Sequence, residues 1–259
     1  MTVLSLWQIK GGAGKSTLTA QLGATISAAG YRTLLVDSDG QATLTESLQT
    51  SLSRRPTLRD VFDGQAPSED ALVPVRDNLH CIFADERLFN LEEELSFRQR
   101  EYTLFADVLD PISNQFDICL IDLPAGPALI SRCGLRRSDC YIMPILCGMP
   151  SFQSARKSGV QLARHAVKCP LGGVVLNMWK ESESAHAVAR LAEREWAGKV
   201  FAQRIAARES LQKMAFRGRT VIDGGVPSLR QDFANLSQEV LQHVQTLQRC
   251  NAAPPPRVT

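Results

Sequence analysis

The 259-residue sequence contains no apolar run that approaches the ~20 residues a transmembrane helix needs. Residues 1–8 also lack the basic segment followed by an apolar one that marks a signal peptide. Hydrophobic residues nevertheless make up 44% of the chain, enough to form a large buried core. We therefore expect a soluble, cytoplasmic protein.

Patterns that hold metal ions or disulfide bonds are also missing. No C-x-x-C pair occurs, and the four histidines share no spacing typical of metal ligands. An odd number of scattered cysteines, several of them inside apolar runs, is typical of reduced, buried thiols. The seven are Cys81, Cys119, Cys133, Cys140, Cys147, Cys169 and Cys250. We expect neither a structural zinc site nor a disulfide framework.

The chain has little net charge, but its charges are unevenly distributed. The formal net charge is +2. Residues 1–139 contain 13 Lys/Arg and 19 Asp/Glu, a balance of −6, whereas residues 140–259 contain 16 and 8, a balance of +8. Such asymmetry is compatible with a surface that faces a polyanion and equally with a solvated surface whose charges mix after folding.

A glycine-rich loop joins an apolar run, Val3–Trp7, to a helical stretch that begins at Ser16. Its glycines let successive N–H groups turn inward, and the following helix adds its positive end, so a triphosphate meets donors on several sides. We expect Lys15 to reach the β- and γ-phosphates and the Ser16 hydroxyl to bind Mg²⁺. The predicted phosphate-binding residues are Gly11, Gly12, Ala13, Gly14, Lys15, Ser16 and Thr17.

Strand and helix patterns alternate along the chain, which predicts an α/β fold with a parallel sheet covered on both faces. The predicted strands are 3–8, 33–36, 79–84, 116–121, 141–146, 174–176 and one near 200–205. The predicted helices are 16–29, 58–62, 86–94, 99–109, 127–133, 151–167, 185–196, 209–216 and 228–247. Because no internal linker or repeat is visible, we expect one domain over 1–248 and a disordered, proline-rich tail at 249–259.

The loop departs from the general phosphate-binding pattern in one respect. Ile9 stands where the first glycine is expected, and a second lysine, Lys10, directly precedes the glycine pair. The string Lys-Gly-Gly-x-Gly-Lys-Ser/Thr resembles the deviant Walker A box of the ParA/MinD ATPases. That resemblance implies a three-layer P-loop fold with a mostly parallel sheet, ATP and Mg²⁺ as cofactors, and an ATP-dependent homodimer. In that dimer Lys10 would cross to the partner's phosphates and stabilise the transition state.

Two aspartates follow the second predicted strand, in Asp37-Ser38-Asp39-Gly40-Gln41. The segment resembles the family's Asp-x-Asp-Pro-Gln box, which implies that Asp37 holds the water shell of the metal and Asp39 positions the attacking water. Gly40 stands in place of the proline, so a looser turn with slower hydrolysis is expected. A solvated turn without catalytic function is the alternative.

Asp122 follows the predicted strand 116–121, whose last four residues are apolar, as a Walker B aspartate does, and would hold Mg²⁺ through water. Capping of the helix predicted from Pro127 is the alternative. Asn177 follows the apolar run 173–176. By resemblance to the family its amide, both donor and acceptor, would bind the adenine edge, and helix capping is again the alternative.

Basic residues are dense in the late helices, and Glu209 and Asp223 are the only acids between Arg204 and Arg230. The DNA-binding branch of the family holds phosphates with such side chains and does not read bases. Candidates are Lys180, Arg190, Arg194, Arg204, Arg208, Lys213, Arg217, Arg219 and Arg230. We expect Lys213, Arg217 and Arg219, which cluster around one helix end, to contact DNA.

Other branches fit less well. The last predicted helix lacks the basic face and aromatic wedge of membrane-binding, MinD-like helices. The surroundings of Cys133 and Cys140 do not resemble those of the cluster ligands of nitrogenase iron protein. No set of polar residues that would form the substrate pocket of a metabolic ligase is visible in the sequence. The retained lysines and aspartates argue against an inactive nucleotide-binding scaffold. No helix-turn-helix precedes the loop, so we do not expect sequence-specific autoregulation.

The sequence thus predicts a ParA-like partition ATPase associated with the nucleoid of a bacterium. ATP would produce a sandwich dimer that coats double-stranded DNA nonspecifically, and a ParB-like partner would trigger slow hydrolysis and release. The alternatives are positioning of a protein cargo on the nucleoid by the same chemistry and MinD-like regulation at a membrane.

Overall fold

A computed structural model describes residues 1–48, 55–91, 102–224 and 226–252. The strands are β1 (Thr2–Leu6), β2 (Thr33–Asp37), β3 (Val73–Arg76), β4 (Leu79–Ile82), β5 (Ile118–Asp122), β6 (Cys140–Leu146) and β7 (Leu171–Asn177). They form one sheet in the order β3-β4-β2-β5-β1-β6-β7. All neighbours are parallel except β3 and β4. The predicted α/β class with a mostly parallel sheet is therefore confirmed.

Most helices lie between strands in sequence, and the last three follow β7. They are α1 (Lys15–Ala28), α2 (Thr43–Leu48), α3 (Leu58–Phe62), α4 (Leu104–Leu109), α5 (Leu129–Arg137), α6 (Met149–Arg164), α7 (Glu183–Glu195), α8 (Glu209–Phe216) and α9 (Pro227–Ala252), with a 3₁₀ helix at Glu86–Asn90. The helices predicted at 58–62 and 209–216 are confirmed to the residue. Residues 92–94 and 99–101 of two further predictions lie outside the described residues.

Two hydrophobic clusters cover the sheet, one on each face. Alternation along β1 sends Val3 and Trp7 into one cluster and Leu4 and Leu6 into the other. Strands buried on both faces read as continuous apolar runs, which explains why the central strands were legible in the sequence. The carboxyl ends of these strands form the edge on which the phosphate-binding loop sits.

The sequence did not predict β3. Pro74 interrupts its pattern, and proline is tolerated in a strand only at the edge of a sheet, where its missing N–H needs no partner. β3 is such an edge strand, paired antiparallel with β4. The strand that the sequence predicts next, 79–84, is confirmed over residues 79–82, which form β4.

The predicted strand near 200–205 is wrong. Residues there form no continuous ladder with β7: they make isolated bridges at Val174–Val200 and Trp179–Ala206, and the Ile205 N–H donates to the Leu176 carbonyl oxygen at 3.0 Å. Between the bridges, the N–H groups of Ala202 and Gln203 donate to the carboxylate of Glu239 on α9, at 2.7 and 2.8 Å. A side chain thus replaces the strand neighbour that a continuous ladder would need.

The last helix is longer than the sequence predicted. α9 continues through residues 249–252, which had been assigned to the tail. The residues beyond Ala252, with the three consecutive prolines, lie outside the described part of the chain. The end of α9 is hard to predict from the sequence, because no glycine or proline marks it before Pro254.

Candidate nucleotide site and basic surface

Strand register brings the predicted catalytic segments into one row at the carboxyl edge of the sheet. Asp122 at the end of β5 lies opposite Asp37 of β2 on one side and opposite Leu6 of β1 on the other. The Ser38 hydroxyl and N–H both donate to the Asp122 carbonyl oxygen, at 2.7 and 3.1 Å. Because β1 leads directly into the phosphate-binding loop, both carboxylates stand beside that loop.

The loop has the backbone that a phosphate cradle requires. Gly12 and Gly14 have φ of 74° and 84°, a left-handed conformation that favours glycine. A Cβ on Gly14 would lie 2.4 Å from Nδ2 of Asn177. That amide donates to the Ala13 carbonyl oxygen at 2.8 Å, so β7 holds the loop from the side. Lys15 follows as a buried first residue of α1, 8% exposed.

Asp37 is fully buried, and both of its carboxylate oxygens accept hydrogen bonds. Oδ2 accepts from the N–H and hydroxyl of Thr45, at 2.8 and 2.7 Å, and Oδ1 accepts from the Asp39 N–H at 3.1 Å. Burial raises the pKa of Asp37 to about 6, although the Thr45 hydrogen bonds oppose the rise. Its proton therefore favours the folded state, and this stabilisation is complete below pH 3.8 and lost as the pH rises through about 6.

Asp122 is a buried carboxylate whose oxygens are unsatisfied. Its side chain is 1% exposed, and neither carboxylate oxygen has a hydrogen-bond partner among the described residues. Burial raises the pKa of Asp122 well above its usual range, the Asp37 carboxylate adds to the rise, and Ser16 and Lys15 oppose it. The Gln8 amide at the start of the loop is likewise buried without a partner. Orphaned oxygens beside the Ser16 hydroxyl suit a hydrated Mg²⁺.

Removing the charge of Asp122 should stabilise the nucleotide-free protein. Because burial raises the pKa of Asp122 in the folded state, this carboxyl destabilises the fold at a pH well above its ordinary range, and Asp122→Asn removes that cost. We expect Tm to rise by roughly 2–4 °C, equivalent to about 1 kcal/mol, and the Mg²⁺-dependent stabilisation by ATP to disappear. Thermal unfolding with and without Mg·ATP measures both.

The matched control is Asp117→Asn, because Asp117 forms an exposed ion pair with Arg32 at 2.6 Å. Solvent screens an exposed pair, so its loss should change stability little and should not raise Tm. An Asp122→Asn variant with an unchanged Tm and intact Mg·ATP stabilisation would contradict the site.

Asp39 and Lys10 lie at the open side of the loop. Both are partly exposed. Oδ1 of Asp39 accepts from the Gln41 N–H at 3.0 Å, which fixes the carboxylate within its own turn. Lys10 takes part in no ion pair or hydrogen bond of a described residue. The contacts of the two side chains with described residues therefore leave both able to reach a ligand or a second copy of the chain.

A cavity of about 240 Å³ opens beside the loop. Its lining includes Thr17 of α1, Asn177 at the end of β7, Met178 after it, and residues 206–209, which lead into α8. The cavity therefore lies between the phosphate-binding loop, the end of β7 and the start of α8.

The three predicted DNA contacts lie together. Lys213, Arg217 and Arg219 are exposed and line one depression of about 470 Å³ at the end of α8. Lys213 pairs with Glu209 at 3.0 Å, an exposed contact of one helical turn. The broader candidates are divided: Lys180 and Arg208 line the cavity beside Asn177, and Arg190, Arg194 and Arg204 line a separate depression.

Two groups with functional weight were missed in the sequence. Thr45 holds Asp37 and also accepts the Ala84 N–H at 3.0 Å, so it joins β2 to the end of β4. Trp7 donates from its ring to the Gly126 carbonyl oxygen at 2.8 Å and supports the turn after Asp122. No local sequence motif predicts these contacts, because they join residues on different elements of the fold.

Other absences concern only the described ranges. There, no group of three or more His, Cys, Asp or Glu side chains is arranged to hold a metal ion unaided. Within the same ranges, no helix combines the length and the apolar character needed to cross a membrane. The six cysteines with described side chains are free thiols, all buried except the half-buried Cys147, as the sequence predicted.

Comparison with known proteins gives a consistent family. The family described as an AAA domain, AAA_31, matches residues 1–162. The chain is 30% identical over 192 residues to the chromosome partitioning protein ParA of Caulobacter vibrioides, covering 71% of this chain and 72% of that protein. It is 29% identical over 145 residues to the maintenance of carboxysome distribution protein A of Synechococcus elongatus, covering 56% and 58%. The solved structure of Cyanothece apo McdA has a TM-score of 0.82 at 23% identity, covering 93% of this chain and 99% of that one.

Proposed function

Because the chain belongs to the ParA/MinD family of P-loop ATPases, close to its ParA members, we propose that it is a partition ATPase switched by its nucleotide. The observation that carries the proposal is the meeting of the phosphate-binding loop, Asp37, Asp39 and Asp122 at one sheet edge, with a Lys10 beside the loop that has no ion pair or hydrogen bond to any described residue. ATP and Mg²⁺ are the cofactors.

The loop residues Gly11–Thr17 bind the phosphates through inward N–H groups, and Lys15 neutralises the β- and γ-phosphates. Mg²⁺ would supply neutralisation of the phosphate charge. The Ser16 hydroxyl would hold it directly, and Asp122 and Asp37 would hold its water shell. Asp39 positions the water that attacks the γ-phosphorus. Low exposure at Asp122 and Lys15 keeps these interactions strong, because little water screens them.

Asn177 gives the site its preference for adenine. Its Nδ2 donates to the Ala13 carbonyl oxygen, and the residue lines the cavity beside the loop. Its Oδ1 would then be the acceptor available to a base. An acceptor suits the exocyclic amine of adenine and rejects the carbonyl oxygen that guanine presents at the same place.

Asn177→Ala should therefore weaken ATP binding by about 10-fold, equivalent to ~1.4 kcal/mol, and reduce the preference for ATP over GTP. Both losses arise together, since the side chain supports the loop and selects the base. Calorimetric titration with ATP and GTP measures them. Met178→Ala is the control, because this neighbour in the cavity lining offers no polar group. An Asn177→Ala variant with undiminished ATP preference would remove the residue from the base site.

Dimerisation follows from the position of Lys10. Within one subunit Lys15 already neutralises the phosphates, so a second, uncommitted lysine at the open side is suited to the nucleotide of a second copy. We propose a face-to-face dimer with two ATP molecules between the subunits. Light scattering with ATP, with ADP and without nucleotide tests it: a dimer with ATP alone supports the proposal, and a monomer in all three contradicts it.

DNA binding is proposed for the surface at the end of α8. Lys213, Arg217 and Arg219 converge on one depression, and no acid other than Glu209 and Asp223 lies between Arg204 and Arg230. Asp223 is paired with Arg76 at 2.8 Å. Contacts to phosphates without base readout give nonspecific, salt-sensitive binding to double-stranded DNA. The protein would thus lie on the nucleoid in the bacterial cytoplasm.

Release requires hydrolysis, and we propose that a ParB-like partner stimulates it. The partner would bind the ATP dimer on a centromere or another cargo and accelerate a slow intrinsic reaction. The membrane alternative is disfavoured by the packing of α9. Its apolar residues Leu229, Phe233, Leu236, Val240 and Val244 are buried in the cluster that includes α1. That stripe cannot insert into a bilayer without unfolding the domain.

Positioning of a protein cargo on the nucleoid is the second candidate. It is favoured by the relationship to the maintenance of carboxysome distribution protein A and by the McdA fold. Both candidates share the ATP switch and the DNA surface, so they differ only in the partner. Affinity capture with the ATP-trapped protein distinguishes them by whether a DNA-bound adaptor or a particle-bound adaptor is recovered.

A further inference from the structure

Gly40, which stands between Asp39 and Gln41, is covered by an aromatic ring. A Cβ built on Gly40 would lie 2.9 Å from Cδ1 and Cγ of Phe89 and 3.0 Å from its Cε1. Real Cβ atoms do not approach a ring so closely, so the ring lies directly on the Gly40 backbone. The residue that departs from the family's Asp-x-Asp-Pro-Gln pattern is therefore one whose missing side chain makes room for Phe89.

The Phe89 ring is held from behind by its own segment. Leu88 and Leu91, on either side of it in sequence, are buried in the core. Arg87 pairs with Asp60 at 2.8 Å and with Asp85 at 2.6 Å. The Arg87 carbonyl oxygen accepts from the Arg59 guanidinium at 2.8 Å. A segment fixed by two buried leucines and several charge-assisted hydrogen bonds can position a ring against a neighbouring turn.

The turn beneath the ring is supported unevenly. The Gln41 N–H donates to Asp39 Oδ1, and the Ala42 N–H donates to the Asp39 carbonyl oxygen at 2.8 Å, so these bonds are internal to the turn. Ala42, at the far end, packs against the core, and its carbonyl oxygen accepts from the Glu46 N–H at 2.9 Å, although its left-handed φ of 50° is strained for a residue with a Cβ. Gly40, in the middle of the turn, has the Phe89 ring as its contact from outside.

Phe89 is 55% exposed, although an aromatic ring usually buries most of its surface. Its contribution to the hydrophobic core is therefore small, since the core contacts of the segment come from Leu88 and Leu91. A ring placed at the catalytic edge, half in water and resting on a glycine next to Asp39, has a positional role.

We propose that Phe89 is a positioning residue for ATP hydrolysis, which replaces the rigidity of the absent proline by holding the Asp39–Ala42 turn through Gly40. The inference rests on the proposed function in one respect, the role of Asp39 toward the attacking water. It changes the expectation drawn from the sequence that Gly40 loosens the turn. Gly40 and Phe89 form a pair, and the turn is held from above.

Phe89→Ala tests the proposal with two independent readouts. Hydrogen exchange of residues 37–48 in the nucleotide-free protein should become faster, because the turn loses its outside contact. The kcat for ATP hydrolysis should fall by about 10-fold with an unchanged Kd for ATP, since a small misplacement of the attacking water affects the transition state alone. Phe89→Tyr keeps the ring and should behave as the unmodified protein does.

The matched control is Tyr102→Ala, which removes another exposed ring. Tyr102 is 74% exposed. The guanidinium carbon of Arg136, in the last turn of α5, lies 4.8 Å from the centroid of the Tyr102 ring. Tyr102→Ala should alter neither readout. Gly40→Ala places a methyl group against the ring and should lower kcat. Both changes act on one contact. The kcat of the Gly40→Ala/Phe89→Ala double variant should therefore be no lower than that of the less active single variant.

The outcomes separate this inference from the proposed function. If Phe89→Ala leaves exchange and kcat unchanged while Asp39→Ala abolishes hydrolysis, the inference is overturned and the proposed function stands. If Asp39→Ala hydrolyses ATP normally, the proposed function fails at its catalytic residue, and so does the positioning role that depends on it. Additive losses in the double variant would also contradict the pairing of Gly40 with Phe89.

Discussion

Replacing Lys15 by alanine is expected to abolish ATP-dependent dimerisation. Lys15 is the one buried cation at the start of α1 that stands beside Asp122, and its ammonium would meet the β- and γ-phosphates. Loss of that charge-assisted contact should weaken ATP binding by at least about 100-fold, equivalent to ~2.7 kcal/mol. Titration calorimetry measures the affinity, and light scattering with ATP measures the dimer.

Lys10→Ala is the informative control, because it removes a lysine from the same loop. Lys10 has no partner among the described residues, so the monomer should retain its affinity for ATP. It should lose the dimer and stimulated hydrolysis, since its proposed contact lies across the interface. A Lys15→Ala protein that still dimerises with ATP would contradict the assignment of the loop. Equal loss of ATP affinity in both variants would contradict the separate role of Lys10.

The second large effect is expected from Asp39→Ala, which should trap the ATP-bound dimer. Without the carboxylate that positions the attacking water, hydrolysis should slow by about 100-fold or more. ATP binding should remain, because the loop and the Mg²⁺ ligands are unchanged. The variant should therefore stay at twice the monomer mass of 28.5 kDa long after the unmodified protein has returned to monomers.

Size-exclusion chromatography with light scattering over time after ATP addition follows that trapping. Asp77→Ala is the matched control, because Asp77 is an exposed aspartate between β3 and β4, away from the carboxyl edge. It should dimerise and decay as the unmodified protein does. A fast-decaying Asp39→Ala dimer would place the water-positioning group elsewhere.

The fold was largely predictable because its signals are local. Central strands buried on both faces appear as apolar runs, and the loop, the Asp37–Asp39 pair and Asp122 each follow such a run. Given a parallel sheet, their convergence at one edge follows from topology. α3 and α8 were also local, since each is a short apolar pattern bounded by polar residues.

The remaining features depend on contacts between distant residues. The segment 200–205 has the composition of a strand, yet Glu239 from α9 takes its N–H groups. Thr45 fixes Asp37 from eight residues away, and nothing in the local pattern distinguishes it from other helical threonines. Gly40 was visible as a departure from a motif, but the ring that covers it comes from the segment after β4. Sequence patterns identify such residues only once their neighbours are known.

The measurement that tests the central claim most directly is binding to nonspecific duplex DNA with ATP, with ADP and without nucleotide, over a salt series. Three proteins should be compared. They are the unmodified chain, the Lys213→Ala/Arg217→Ala/Arg219→Ala variant, and a control that removes the same charge from α6 and its end, Lys157→Ala/Arg164→Ala/Lys168→Ala. All six side chains are exposed.

We expect binding only with ATP, weakening steeply with salt. In the Lys213/Arg217/Arg219 variant the slope of log K against log salt should be reduced by up to about 2.7 for each subunit that contacts the DNA, at ~0.9 per phosphate contact. The α6 control should retain the original slope. DNA binding that is absent with ATP while the dimer still forms, or binding that is equal in all three nucleotide states, would contradict a nucleotide-switched partition ATPase acting on DNA.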